Sequence, residues 1–262
     1  MANIHATAVI EDGAQIGNNV TIGPFVTISS QSIIGDDTII DAHAVIAGKT
    51  SIGKGNHIFS HAVVGSIPQD LKFNGEDVEL VIGDNNKIRE FTLINPGTEG
   101  GGSITKIGNN NLLMGYVHLG HDVIMGDNCI LANGATLAGH VILGNNVVIG
   151  GLTPIHQFVN IGDFAMVAGA SALSQDIPPF CLAEGNRATL RGLNLTGLRR
   201  QLERDEINAL KTAYRELFES GEALQDTAEI LLKTSTSQNV KKLVEFITKS
   251  KRGIPYIRKN NG

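Results

Sequence analysis

Four histidines stand near one another in the sequence, His118, His121, His140 and His156, and His121 is followed directly by Asp122. A histidine beside a carboxylate has the makings of a general base. Imidazole titrates near neutral pH, and the carboxylate favours the imidazolium that forms when the base takes a proton. Gly139 directly precedes His140, and Gln157 follows His156. A glycine lets a substrate approach the backbone closely, and its N–H can donate to a developing oxyanion. Clustered histidines can also hold zinc. The residue types alone therefore leave a proton-transfer reading and a metal reading open.

What brings these residues together is a repeat. An aliphatic residue recurs at every sixth position from Ile4 through Ile10 and Ile16 to Val64, resumes at Ile82, Ile88 and Ile94, and after a slip of one residue runs from Ile107 to Leu173. Neither an α-helix nor a flat strand has this period. Six residues suit one short strand and a sharp corner, and three such sides close a triangular coil of 18 residues, stacked roughly 4.8 Å apart. The Gly and Asn that follow an anchor, as in Ile16-Gly17-Asn18-Asn19, are expected to supply the unusual backbone angles of the corner. Similarity to hexapeptide-repeat proteins implies a left-handed coil, an exception to the usual crossover rule.

The coil also acts as a coordinate system. Since 140 − 18 = 122, His140 stacks over Asp122, while residues 121, 139 and 157 share one column and 120, 138 and 156 the next. His121, Asp122, Gly139, His140, His156 and Gln157 thus meet on three consecutive coils. None is an anchor, so most are expected to face outward or line a corner.

Two stretches break the phase, residues 65–81 with Gln69, Asp70 and Lys72, and residues 95–106 with a Gly-rich run. A solenoid takes insertions at its corners. The first is read as functional; the second is left open between function and plain connection. The register ends near Asp176-Ile177-Pro178-Pro179. Beyond it, Ile207, Leu210, Tyr214, Leu217 and Phe218 mark an amphipathic helix ended by Gly221, a second helix spans Leu224–Lys233, and a third starts near Ser237. The expected fold is mainly β: a left-handed parallel β-helix over residues 1–180, capped by a connecting segment and an α-helical domain over 181–262.

A net charge of −5 argues against nucleic acid as a partner. Two cysteines, Cys129 and Cys181, suggest no disulfide framework and fit a reducing cytoplasm. No apolar run is long enough for a transmembrane segment, and the repeat begins at once, leaving no room for a signal peptide.

Gln69-Asp70-Leu71-Lys72, His118-Leu119-Gly120-His121-Asp122, Ala138-Gly139-His140-Val141, Ile155-His156-Gln157-Phe158, Gly185-Asn186 and Asn194-Leu195-Thr196-Gly197-Leu198-Arg199-Arg200 occur in this order. Together they resemble the acyl-carrier-protein-dependent UDP-N-acetylglucosamine O-acyltransferases, which open lipid A synthesis, over essentially the whole chain. The resemblance implies His121 as general base with Asp122 as its partner, and Gly139 as oxyanion donor. It implies that His118, His140, His156 and Gln157 orient sugar and acyl groups. Gln69, Asp70 and Lys72 would contact the sugar nucleotide, and Asn194 and Arg200 its nucleotide portion. Gly169 and Arg187 would border the acyl groove. It further implies no metal and no cofactor beyond the acyl carrier protein that brings the donor, a homotrimer with sites between prisms, and a carrier-docking surface including Arg187, Arg191, Arg199 and Arg200.

Two residues depart from the family's pattern. Thr196 replaces an acidic residue, and Arg187 stands where a histidine is usual. The first keeps open a 3-amino sugar nucleotide as acceptor, giving an amide. A zinc-dependent hexapeptide-repeat carbonic anhydrase, the later N-acyltransferase of the same pathway and a non-catalytic scaffold are the remaining readings. The later enzyme carries a globular domain before its β-helix, whereas this repeat starts at the fourth residue.

Overall fold

A computed structural model describes residues 1–257; the last five residues of the expected C-terminal domain lie outside them. The hexads fold into a left-handed parallel β-helix of three faces. Face I starts with Asn3–Ile4, face II with Val9–Ile10 and face III with Gln15–Ile16, and successive coils add one short parallel strand to each. The register is the one the period predicts, Ile4 opposite Ile22 and Leu119 opposite Leu137. From Ile22 onward the anchors are buried to within a few per cent of zero exposure. Stacked in line, they form one continuous apolar core, the main source of stability in a solenoid.

The corners use Asn as expected and Gly differently. Asn19, Asn85, Asn110, Asn128 and Asn146 do adopt left-handed φ values of 55–57°, which Asn tolerates better than most residues. Aromatic residues fill the same position on another edge, where Phe25, His43, His61, Phe91 and Tyr116 stack as a ladder with ring centroids 4.9–5.2 Å apart. The glycine that follows an anchor in the regular hexads, however, is not there for its φ; only Gly65, which opens the first insertion, has a positive value among those after an anchor. A Cβ on Gly35 would lie 2.5 Å from the carbonyl carbon of Gly53, so glycine is required by the close approach of the next coil.

Both insertions leave from the same edge, between faces II and III. The first joins Val63–Val64 to Glu79–Ile82 and the second joins Leu93–Ile94 to Ile104–Ile107, so the loops proper are 65–78 and 95–103. The β-structure runs past the expected boundary at residue 180. Cys181–Glu184 extends face I in parallel with Met166–Val167, and Thr189–Leu193 folds back on it as an antiparallel hairpin strand.

Among the described residues four helices follow: α1 (Leu195–Leu198), α2 (Arg204–Glu219), α3 (Leu224–Thr234) and α4 (Gln238–Lys249). The apolar stripe predicted for α2 is buried, and Gly221 follows it at φ 89°. Ser237 caps α4 by accepting from the Val240 N–H at 3.2 Å. The chain then returns to the last coil, where the Asp176 N–H donates to the Gly253 carbonyl at 3.0 Å.

Candidate active site

The edge between faces II and III carries, on five successive coils, the first insertion, the second insertion, His121-Asp122, Gly139-His140 and His156-Gln157. The column arithmetic holds: the His140 N–H donates to the His121 carbonyl at 2.9 Å and the Phe158 N–H to the Gly139 carbonyl at 3.2 Å.

At its centre, His121 Nδ1 donates to Asp122 Oδ2 at 2.7 Å. That bond fixes the imidazole tautomer and leaves Nε2 with its lone pair. Gly139 lies beneath the ring, where a Cβ would stand 2.6 Å from Nε2. Any side chain there would fill the space that Nε2 addresses. Among the described residues the Gly139 N–H has no hydrogen-bond partner. The base nitrogen thus stands beside a glycine whose backbone donor is not used within the described residues.

Asp122 lines a corner, as expected for a non-anchor residue, but its side chain is only 1% exposed. It sits at a corner with φ 60°, and the second insertion covers it. Thr98 donates its N–H to Oδ1 at 2.9 Å and its hydroxyl to Oδ2 at 2.6 Å, while the Asp122 N–H donates to Thr105 Oγ1 at 2.8 Å. Thr98 and Thr105 are residues that the sequence reading missed. The 18-residue column cannot find Thr98, which stands 24 positions from Asp122 because the insertion shifts the count.

His140 packs edge-on against His121, with centroids 4.9 Å apart, and stacks on Phe158. Burial holds its imidazole below the ordinary value; Asp122 pulls the other way, His121 adds to the lowering and Asp70 opposes it. His118 donates Nδ1–H to the Leu93 carbonyl at 3.2 Å, and burial lowers its pKa too, against that carbonyl and with a further push from His121.

His156 and Gln157 are exposed on the next coil, and Arg252, another residue not anticipated, donates to His156 Nδ1 at 3.3 Å. Gln69 and Lys72 are exposed on the loop, whose turn is tied by the Lys72 N–H to Asp70 Oδ1 at 3.0 Å.

Of the other expected residues, only Arg187 lies near this edge. Gly169 sits on the edge between faces I and II, in the column of Gly151. Arg187 joins His156, Ile155, Ala172 and Leu173 around a groove of about 340 Å³. Arg200 is exposed beyond α1. Asn194 is 7% exposed; its Oδ1 accepts from the Gly197 N–H, and its Nδ2 donates to the Phe164 carbonyl. It caps α1 on the edge between faces III and I. A groove of about 390 Å³ between face III and α4 holds the Lys242–Asp163 pair but none of the expected residues.

His121, Asp122 and His140 offer ligand atoms within 4.8 Å of one another. The Asp122 oxygens are already engaged by Thr98 and His121, which suits proton transfer better than a metal.

A family profile described as UDP-N-acetylglucosamine O-acyltransferase, domain 2, matches residues 176–255, and the six-repeat bacterial transferase hexapeptide profile matches 1–30 and 104–139. An acyl-[acyl-carrier-protein]–UDP-N-acetylglucosamine O-acyltransferase of Sulfurovum sp. is 72% identical over 99% of this chain and 100% of its own. The one from Aliarcobacter butzleri is 67% identical over the same shares. A solved UDP-N-acetylglucosamine acyltransferase from Campylobacter jejuni superposes with a TM-score of 0.95 at 51% identity, covering 98% of this chain and 100% of that one. With this identity over its whole length and this shared fold, the chain belongs to the acyl-[acyl-carrier-protein]–UDP-N-acetylglucosamine O-acyltransferase family.

Proposed function

We propose that the protein transfers a 3-hydroxyacyl chain from acyl carrier protein to the 3-hydroxyl of UDP-N-acetylglucosamine, the first step of lipid A synthesis, with His121 as general base. The observation that carries this reading is the His121–Asp122 hydrogen bond of 2.7 Å, with Nε2 directed at the gap over Gly139. Nε2 takes the proton of the sugar hydroxyl as its oxygen attacks the thioester carbonyl. The Gly139 N–H donates to the resulting oxyanion. Collapse expels the carrier's thiolate, which takes the proton from the His121 imidazolium. No metal, further cofactor or covalent acyl-enzyme enters these steps.

His118 and His140, kept neutral by burial, orient sugar and acyl groups beside the base, with His156 and Gln157 on the next coil. Gln69, Asp70 and Lys72 meet the sugar nucleotide from the first insertion. Arg200 takes the diphosphate, for which a guanidinium is well shaped, and Asn194 acts through the α1 turn that presents it. Gly169 and Arg187 border the path of the acyl chain. The carrier docks on Arg187, Arg191, Arg199 and Arg200, all exposed on a chain of net charge −5.

The His121 group, Asn194 and Gly169 occupy three different edges of one prism. In a homotrimer, in which one edge of a prism meets a different edge of its neighbour, groups from two of these edges share a cleft. The described residues contain no helix long and apolar enough to cross a membrane, and we place the reaction in the cytoplasm. The test is turnover of UDP-N-acetylglucosamine beside its 3-amino analogue across a series of carrier-bound chain lengths. The proposal expects the 3-hydroxy sugar to be the better acceptor. Preference for the amine would assign the amide-forming reaction, and turnover of neither would remove the reading.

A further inference from the structure

The second insertion has no place in the reaction steps above, yet it is bonded directly to the carboxylate behind the base. Thr98 is 7% exposed, and its hydroxyl is engaged inside the protein. Both of its donors end on Asp122, the N–H on Oδ1 and the hydroxyl on Oδ2. Gly101 packs flat on the same carboxylate, where a Cβ would stand 2.0 Å from Asp122 Cγ. Thr105, at the exit of the insertion, holds the Asp122 backbone.

Oδ2 is the contested atom. It accepts from His121 Nδ1 at 2.7 Å, while His140 Nδ1 waits 3.8 Å away. A carboxylate oxygen has two lone-pair sites. The Thr98 hydroxyl occupies the second and leaves none for His140.

We propose that Thr98 is a positioning residue: by filling the second acceptor site of Asp122 Oδ2 and fixing Oδ1, it commits the carboxylate to His121 rather than to His140. This inference rests on the reading of His121 as the base. Without the hydroxyl, Asp122 is shared between two imidazoles, and His121 loses both its fixed tautomer and its aim at the gap over Gly139. The second insertion is then the element that builds the base. Its first residue ties it to the other loop as well, since Asn95, 1% exposed, donates Nδ2–H to the Ser66 and Ile67 carbonyls at 3.0 and 3.1 Å.

The test compares Thr98→Val, which keeps shape and N–H but lacks the hydroxyl, with Thr98→Ser, which keeps the hydroxyl. Thr98→Val is expected to lower kcat roughly 10- to 100-fold, the range for one hydrogen bond to a charged group, with KM for the sugar nucleotide unchanged. Thr98→Ser is expected to stay within about threefold of wild type. Independently of activity, the downfield proton resonance of the His121–Asp122 hydrogen bond should persist in Thr98→Ser and broaden or vanish in Thr98→Val. Gly101→Ala, which pushes on the same carboxylate, should reproduce the loss if Thr98→Val does not fold. Equal losses in the Val and Ser variants, or a Val variant with wild-type kcat and resonance, would overturn the proposal. His121→Ala is the control: if it keeps full activity, the base assignment fails, whereas an inactive His121→Ala beside a fully active Thr98→Val refutes only the positioning role.

Discussion

At the scale of single residues, the edge between faces II and III sorts four histidines by environment. His121 is hydrogen-bonded to a buried carboxylate, His118 to a backbone carbonyl, His140 is stacked on Phe158, and His156 is exposed beside Arg252. The burial that lowers the pKa of His118 and His140 has a consequence for stability. Unfolded, each titrates near the ordinary value of about 6.5; folded, each titrates lower. Between those two values the unfolded chain binds more protons, so stability rises with pH there and is lost as the pH falls below about 6.5. His118→Gln should therefore flatten the fall in urea midpoint between about pH 7 and pH 5.5. An unchanged slope would show that His118 is not held neutral. The sequence made these histidines legible because all of them share the 18-residue count. It did not make the burial of Asp122 legible, because Thr98 reaches that residue across 24 positions and out of phase.

At the scale of elements, the six-residue period was enough to write the strand register, and the helical stripes of α2 and α4 were equally plain. The purpose of the recurrent glycine was not legible, since sequence shows glycine without showing which of its freedoms is used. At Gly35 it is the missing Cβ: the next coil's backbone lies 2.5 Å from where that atom would be, with Gly53 on the other side. Backbone cannot rotate aside as a side chain can. Gly35→Ala should thus destabilise the chain by about 1–3 kcal/mol, the usual cost of overpacking, measured by denaturant unfolding. A variant as stable as wild type would mean that the coils spread freely. The strands of Cys181–Glu184 and Thr189–Leu193 escaped the period because they belong to a hairpin, where the repeat no longer governs. The two phase breaks were visible as breaks, but that they leave from one edge, directly below the histidines, emerges only from the strand pairing.

At the scale of the whole molecule, the prism distributes the expected groups over separate edges. His121 and the insertions share one edge, Gly169 lies on a second, and Asn194 with the α1 turn before Arg200 lies by the third. The period assigns the columns of His121 and Gly169 but not that of Asn194, which lies beyond the repeat, and it says nothing of what faces a column from outside. The central claim is that His121 of one chain is the base in a site that a second chain completes with Arg200. The most direct test mixes two variants, His121→Ala and Arg200→Ala, after dissociation and reassembly, and reads turnover at low UDP-N-acetylglucosamine. Alone, His121→Ala should lose roughly 10²–10⁴ in rate, and Arg200→Ala should be impaired through KM. Random reassembly gives about one site in four with both groups intact, so the mixture should regain about a quarter of the wild-type rate. A mixture no more active than the average of its two parents, or a His121→Ala protein as active as wild type, would contradict the account.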